Sequence, residues 1–174
     1  MKPFKTLLTI LFISLLSSPS WSVTIDDLVK REGIYYEKFT DVPFTGKVTD
    51  KLTGSDQTTF KNGKRDGAWI GYHENGQLWW KGNYRNGKRE GAYVQYHENG
   101  QFSVKGNYKN DERKGLWVSY HKTGQLHFKG NYQDGKRNGT WVSYHVDGTV
   151  NTEFTGKFYN MPSGTYKDGV KISD

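Results

Sequence analysis

The fold is decided by residues 67–90, which read GAWIGYHENGQLWWKGNYRNGKRE. The next 24 residues, 91–114, read GAYVQYHENGQFSVKGNYKNDERK, and residues 115–138 read GLWVSYHKTGQLHFKGNYQDGKRN. One column at this spacing contains Trp69, Tyr93, Trp117 and Trp141. An internal repeat of this length indicates an array of similar small units rather than one irregular domain.

Each repeat contains two dipeptides that are typical of tight turns. Asn75-Gly76 and its equivalents close one hairpin, and Asn86-Gly87 and its equivalents close the other. Such dipeptides accept the positive φ angles of a two-residue type I′ turn. The segments between them have 9 and 11 residues, enough for one strand each. We therefore predict an all-β fold, an elongated and twisted antiparallel meander in which each repeat adds one β-hairpin.

The turns also predict strand register, because paired residues are equidistant from a two-residue turn. The pairs predicted in the first clear repeat are Trp69 with Gly82, His73 with Leu78, Trp80 with Tyr93, and Tyr84 with Arg89. The pairs predicted in the later repeats are Val104 with Trp117, Phe128 with Trp141, Tyr108 with Arg113, and Tyr132 with Arg137. Each large ring would then lie beside a glycine on one side and beside Trp, Val or Phe on the other.

The composition excludes several classes of protein. The 174 residues include no Cys, which excludes a disulfide scaffold, a thiolate metal site and a cysteine nucleophile. Only 33% of the residues are hydrophobic, yet 6 Trp, 12 Tyr, 9 Phe and 21 Gly favour an ordered, strand-rich chain over a disordered one. No uncharged apolar run reaches the length of about 18 residues that a membrane-spanning helix needs.

Residues 1–22 have the pattern of a secretory signal peptide. Lys2 and Lys5 precede an apolar run over residues 7–16, and Ser20 and Ser22 are small residues placed for cleavage after Ser22. A buried N-terminal helix or an uncleaved anchor is the alternative. We therefore predict export to the periplasm or beyond it, with no transmembrane segment after cleavage.

The rest of the chain divides into three parts. We predict an N-terminal leader or cap strand over residues 23–43, the repeat array over 44–158, and a C-terminal cap and tail over 159–174. Residues 24–39 fit either a short helix capped by Thr24 or a strand through residues 34–36, and we favour the strand. Residues 159–174 are predicted to be a polar closing turn and tail.

The motifs G-x-W-x-x-Y-x-x-N-G and Y-x-x-G-x-x-x-G, with DVPFTG at residues 41–46, resemble the MORN-repeat superfamily. The bacterial variant often labelled the YwqK-type antitoxin family is the closer match, over about residues 44–158 and most clearly over 63–144. The resemblance implies an elongated antiparallel sheet used for protein or lipid contact without catalysis. Combined with export, it suggests an immunity protein that neutralises a toxin in the periplasm.

The sequence predicts no enzyme, no metal site and no cofactor. Histidines recur at His73, His97, His121 and His145, but two strands separate successive members by roughly 9 to 10 Å, too far to share one ion. Packing against Leu78, Phe102 and Leu126 is the expected role of these histidines. Catalytic motifs such as G-x-S-x-G and H-E-x-x-H do not occur, and a repeat array multiplies like residues, whereas catalysis needs unlike groups at one place.

An aromatic sheet face is the predicted binding surface for a protein partner, because a single sheet with no helix to cover it exposes apolar rings. The candidate residues are Trp69, Trp80, Tyr84, Tyr93, Tyr108, Trp117, Phe128, Tyr132 and Trp141. Packing within the sheet is the alternative role of these rings, which would make the chain a structural spacer.

A basic sheet edge is the second candidate surface, suited to anionic lipid or glycan at a membrane surface. Its residues are Lys64, Arg65, Lys88, Arg89, Arg113, Lys114, Lys136 and Arg137. A solvated edge with cation–π pairs between neighbouring arginines and tyrosines is the alternative. Nucleic acid is not an expected partner, because no groove-reading or single-strand-binding motif occurs.

Overall fold

The computed structural model describes residues 22–49, 57–152 and 162–174. Within these ranges the chain forms one 3-10 turn, Ile25–Asp27, and fourteen strands. The strands are β1 (Leu28–Arg31), β2 (Ile34–Glu37), β3 (Gly46–Thr49), β4 (Gln57–Lys61), β5 (Lys64–Tyr72), β6 (Leu78–Arg85), β7 (Lys88–Arg89), β8 (Gly91–Tyr96), β9 (Phe102–Lys109), β10 (Glu112–Tyr120), β11 (Leu126–Gln133), β12 (Lys136–Ser143), β13 (Gly164–Lys167) and β14 (Val170–Ser173). The predicted signal peptide lies outside the described residues except for Ser22, and so does the array boundary predicted at residue 158.

Strands β3 to β14 form one twelve-stranded sheet, and β1 and β2 form a separate two-stranded sheet. Strands that follow one another in the chain are neighbours in the sheet, and β7 and β8 both pair with β6. The strand pairs of the described sheets are antiparallel, so the predicted all-β antiparallel meander of hairpins is confirmed.

One of the two turn series has the predicted type I′ geometry. Asn86 and Gly87 have φ angles of 50° and 82°, and Asp134 and Gly135 have φ angles of 50° and 75°. Both central residues of a type I′ turn require positive φ, which Asn, Asp and Gly tolerate. The prediction of two-residue turns at this edge of the sheet is confirmed.

The other turn series is a longer loop, and the prediction for it was wrong. His73 donates its N–H to the Gln77 carbonyl oxygen at 2.8 Å, and Gly76 donates to the His73 carbonyl oxygen at 2.8 Å. These bonds enclose a three-residue loop in which Gly76 has a φ of 81°. Because this loop contains one residue more than a type I′ turn, Leu78 pairs with Tyr72 and not with His73.

The register beyond the type I′ turns also differs from the prediction. Tyr84 pairs with Arg89 as expected, but Trp80 then pairs with Gln95 rather than with Tyr93. The corresponding observed pairs in the later repeats are Val104 with Ser119 in place of Trp117, and Phe128 with Ser143 in place of Trp141. The ladder shifts by two residues each time, and an even shift keeps these paired side chains on their predicted face.

The shift occurs where each repeat has a glycine inside a strand. Gly91 has a φ of 81°, and its equivalents Gly67, Gly115 and Gly139 have φ angles of 108°, 66° and 75°. A left-handed residue within a strand produces a bulge that leaves chain unpaired on one side of the ladder. The two-residue rule did not include this bulge, so the pairs that it predicted beyond the bulge were wrong. The predicted pairs Trp69 with Gly82 and Tyr84 with Arg89 are confirmed.

Because of the shift, Trp117 and Trp141 have a glycine on both neighbouring strands rather than on one, and each ring lies over the glycine of the preceding strand. Trp117 pairs with Gly130 on β11, and a Cβ atom placed on Gly106 of β9 would overlap the Trp117 ring. Trp141 pairs with Gly164, and a Cβ atom on Gly130 would overlap the Trp141 ring. Glycine is therefore required at these strand positions because an aromatic ring occupies the space of a side chain.

Hairpins close both ends of the array. Thr24 caps the 3-10 turn, and the strand predicted through residues 34–36 is present as β2. Leu28 belongs to an apolar cluster with Phe44, Val48 and Phe60 at this end. This small cluster covers the start of the repeat sheet.

The polar closing turn and tail predicted over residues 159–174 is, in its described part, the hairpin β13–β14. Tyr166 on β13 is only 6% exposed and contacts Trp141 edge-on at 6.3 Å between ring centroids. The sequence Tyr166-Lys167-Asp168-Gly169 repeats the pattern of residues 132–135, so the last strands continue the array. The prediction missed this hairpin because the spacing to it departs from 24 residues.

Candidate functional site

The front face of the sheet, defined as the side that carries Trp69, Tyr93, Trp117 and Trp141, holds a continuous row of rings. Tyr93 stacks on Trp69 at 6.0 Å and on Trp117 at 6.1 Å between centroids. Tyr108 contacts the Trp117 ring edge-on at 5.0 Å. Stacked and edge-to-face contacts of this kind are each worth about 0.5–1.5 kcal/mol beyond the area that they bury.

The predicted partner-binding residues fall into two groups on this face. Those in the C-terminal half are buried and form the core: Tyr108, Trp117, Tyr132 and Trp141. Trp117 is 1% exposed and Trp141 is 2% exposed, so neither ring reaches a partner at the surface. The half-buried members are Trp69, Trp80, Tyr84, Tyr93 and Phe128.

The predicted basic edge separates into two rows. The exposed lysines Lys64, Lys88 and Lys136 lie beside the type I′ turns, and Lys114 is exposed as well. The arginines lie on the front face over the rings: Arg65, Arg89 and Arg113 are half-buried, and Arg137 is 7% exposed. Only the lysine row has the exposure expected of a charged edge.

Each arginine stacks on the tyrosine of the following repeat. The predicted neighbours Tyr108 and Arg113 do pair directly, as do Tyr132 and Arg137. The Arg113 guanidinium, however, lies 5.2 Å from the Tyr132 centroid and donates a hydrogen bond from Nη1 to the Tyr132 hydroxyl at 2.8 Å. Arg89 likewise lies 4.3 Å from the Tyr108 centroid. The arginines therefore link successive repeats on the front face.

Arg89 also binds a carboxylate of the next turn. Its backbone N–H and its Nε donate to Asp111 Oδ1 at 2.9 Å and 3.0 Å, and its Nη2 donates to the Asp111 carbonyl oxygen at 3.1 Å. Desolvation by itself would raise the pKa of the Asp111 carboxyl, but the hydrogen bonds and charge of Arg89 outweigh it and lower that pKa. Asp111 is held in its charged form.

The histidine column links the repeats at the opposite edge. His73 Nε2 donates to the carbonyl oxygen of Tyr96 at 3.0 Å, and His121 Nε2 donates to that of Tyr144 at 2.9 Å. The His73 ring stacks on Trp79 rather than on the expected Leu78. Across the described residues, no three His, Asp or Glu side chains lie close enough together to hold a metal ion.

Two grooves flank the arginine row. The turn-side groove, about 780 Å³, lies between Arg137, Tyr132 and the turn glycines Gly135 and Gly169. The histidine-side groove, about 510 Å³, is lined by the front-face residues Tyr93, Gln95, Val104, Ser119 and Phe128 and by His97, His121 and His127. Sequence reasoning missed both grooves, because their walls come from residues of two or three different repeats.

Part of the repeat array matches a known family of repeats. Three consecutive segments match the MORN repeat variant. These segments are residues 65–88, 89–110 and 113–134, and they coincide with the three most regular hairpins of the sheet. MORN repeats are binding modules. No helix with the length and apolar character of a membrane span occurs in the part of the chain that the structure describes.

Other similarities are weak. A chain in the crystal structure of the GtfA/B complex bound to UDP and GlcNAc is 16% identical over 71% of this chain, with a TM-score of 0.21. The match covers 28% of that chain. No curated protein sequence matches this chain.

Proposed function

We propose that this protein is an exported, non-enzymatic binding module that holds a protein partner on its front face. The charged start and short apolar run of residues 1–22 support export to the periplasm or the outside. The repetition of like side chains in rows supports binding over catalysis, which needs unlike groups at one point.

The histidine-side groove is the observation that carries this proposal. Tyr93, Val104 and Phe128 are half-buried there and leave apolar surface open beside the fully packed Trp117. Gln95 and Ser119 add polar groups to the same walls. Partially exposed apolar side chains on a rigid support, mixed with a few polar groups, are characteristic of protein-binding surfaces.

Co-purification from envelope extracts with the tagged full-length chain tests this surface. Val104→Asp should reduce recovery of a specific partner at least about tenfold, because it places a charge in the apolar contact. Leu116→Asp is the matched control, since Leu116 is 53% exposed and lies outside the histidine-side groove. Equal recovery with both variants contradicts the proposed surface, provided that circular dichroism shows both to be folded.

A toxin is the first partner to test. The resemblance to the YwqK-type antitoxin family, together with the export signal, favours an immunity protein that acts outside the cytoplasm. Co-expression of the full precursor with a neighbouring toxin directed to the periplasm should restore growth, and a version without residues 2–22 should not. Protection by the version that lacks those residues contradicts an extracytoplasmic role.

The lysine row supports a second candidate, attachment to anionic lipid or glycan. Lys64, Lys88 and Lys136 are exposed at equivalent positions of the turn edge. Asp66 and Glu90 reduce the net charge of the lysine row. Their carboxylates accept hydrogen bonds from the backbone N–H groups of Asn86 and Asn110, respectively. Binding to anionic vesicles that falls steeply with salt, and that is lost in the triple Lys→Gln variant, would favour this candidate over the aromatic surface.

A further inference from the structure

Arg137 is a largely buried charged side chain in the lining of the turn-side groove. It is 7% exposed, and its guanidinium lies 4.4 Å from the Trp141 centroid and 5.1 Å from the Tyr166 centroid. No carboxylate of the described residues forms an ion pair with it, and no oxygen of those residues accepts a hydrogen bond from its guanidinium. A guanidinium carries five N–H donors, and those of Arg137 remain available to a ligand in the groove that this residue lines.

The repeat that contains Arg89 shows which group accepts hydrogen bonds from an arginine at this position. The Asp111 N–H donates to the Arg89 carbonyl oxygen at 3.0 Å, and the Asp111 carboxylate then accepts from the Arg89 side chain. Gly169 stands at the same place relative to Arg137, because its N–H donates to the Arg137 carbonyl oxygen at 2.9 Å. The backbone frame is the same, but Gly169 brings no carboxylate.

The space that a side chain at position 169 would occupy is part of the turn-side groove. Gly135 and Gly169 line it with Arg137, and each donates its N–H to an arginine carbonyl oxygen as Asp111 does in the Arg89 repeat. Of the basic side chains that line the groove, Arg89 is paired with Asp111 and Lys171 with Asp174, which leaves Arg113, Lys136 and Arg137 against Glu112. The groove therefore has the charge and the opening that suit an anionic group.

We propose that the turn-side groove binds a carboxylate side chain, Asp or Glu, of the protein partner, and that Arg137 is its principal ligand. The incoming carboxylate takes the place that Asp111 occupies beside Arg89 and accepts hydrogen bonds from the Arg137 guanidinium. The Asp111 carboxylate shows that this frame accommodates a carboxylate. This inference rests on the proposed function, since it names the chemistry by which the same front face recognises its protein partner.

Substitution at Gly169 tests the site without disturbing the packed arginine. Gly169→Asp supplies the internal carboxylate, and Asp111 shows that Asp adopts the required geometry at this turn position with a φ of 73°. A Cβ atom on Gly169 would lie 3.8 Å from Lys136 Cβ, an ordinary contact. Gly148→Asp is the matched control, because it adds the same charge at a glycine with a φ of 86° in the other turn series.

The probe is a fluorescein-labelled hexaglutamate peptide, with hexaglutamine for comparison and fluorescence anisotropy as the readout on the full chain. We expect the natural chain to bind hexaglutamate and not hexaglutamine. Gly169→Asp should weaken binding at least about tenfold and Gly148→Asp less than about twofold. Asp111→Gly should strengthen binding, because it vacates a second carboxylate position at Arg89.

Three outcomes overturn the inference: no preference for hexaglutamate, equal weakening by both Gly→Asp variants, or a Gly169→Asp effect on inorganic phosphate or anionic vesicles but not on the peptide. The proposed function is judged separately by partner recovery with Val104→Asp. If Gly169→Asp leaves hexaglutamate binding unchanged while Val104→Asp reduces partner recovery, only the carboxylate site is rejected. If Gly169→Asp weakens hexaglutamate binding while Val104→Asp leaves partner recovery unchanged, only the histidine-side groove is rejected.

Discussion

The imidazole of His97 donates a hydrogen bond from Nε2 to the backbone carbonyl oxygen of Tyr120, 2.9 Å away and one repeat further along the chain. A carbonyl oxygen only accepts, so the bond requires the tautomer with hydrogen on Nε2. Asn99 reinforces the same junction, since its Nδ2 donates to the Lys122 carbonyl oxygen at 2.9 Å. These side chains join successive loops at the edge opposite the type I′ turns.

Removing this link should destabilise the sheet. His97→Ala is expected to lower the free energy of unfolding by about 1 kcal/mol, because the half-buried Tyr120 carbonyl loses its partner. The control is His145→Ala, since His145 is exposed in the last repeat. Urea unfolding followed by circular dichroism measures both, and an equal loss in the two variants would contradict the linking role.

Glycines under the rings should tolerate alanine in proportion to the space above them. Gly106→Ala is expected to destabilise the protein by about 1–3 kcal/mol, because its Cβ overlaps the buried Trp117 ring. Gly82→Ala should cause a smaller loss, since its Cβ would lie 3.3 Å from the half-buried Tyr93 ring, which has room to shift. Thermal and urea unfolding rank the two, and the opposite order would exclude ring overlap as the cause.

Substitutions of the bulge glycine Gly91 should change the stability of the protein through backbone geometry alone. A Cβ atom on Gly91 would meet nothing within 4 Å, but the residue has a φ of 81°. Gly91→Ala is therefore expected to lower stability by about 1–2 kcal/mol, and Gly91→Asn by less, because Asn tolerates left-handed backbone. Comparison of the two unfolding curves checks this, and equal losses would contradict backbone strain as the reason.

The contribution of Asp111 should depend on pH. Its pKa is lowered in the folded protein by Arg89, so the stabilisation that it provides is present above the unfolded-state pKa and is lost as the pH falls through the folded-state value. Since an unfolded Asp titrates near about pH 3.9, the stability difference between the natural chain and Asp111→Asn should be constant near neutral pH and shrink at acid pH. Urea unfolding across that range measures the difference. A stability difference that stays constant down to the lowest pH would contradict the assignment to Arg89. If Arg89→Gln is also present, the difference between Asp111 and Asp111→Asn should no longer shrink at acid pH, which would support the assignment.

Much of the local structure was accessible from residue spacing. The 24-residue period predicted the hairpins, and Asn86-Gly87 predicted its turn type, because both depend on short stretches with few conformational options. The bulge at Gly91 also coincides with a recurring glycine, but the two-residue turn rule did not take it into account. The hairpin that contains Tyr166 was missed although its Asp168-Gly169 turn repeats the pattern at Asp134-Gly135.

The amino-acid sequence by itself determined the repeat, the type I′ turns and the face that carries the Trp69 and Arg89 columns. These follow from local backbone preferences and from the alternation of side chains along a strand. Only the tertiary structure decided that Trp117 and Trp141 are buried and that Arg137 lies over a ring while Lys136 faces solvent. Burial depends on the strands that lie on either side and on where each bulge shifts the ladder, so it is a property of neighbouring repeats together rather than of any one segment.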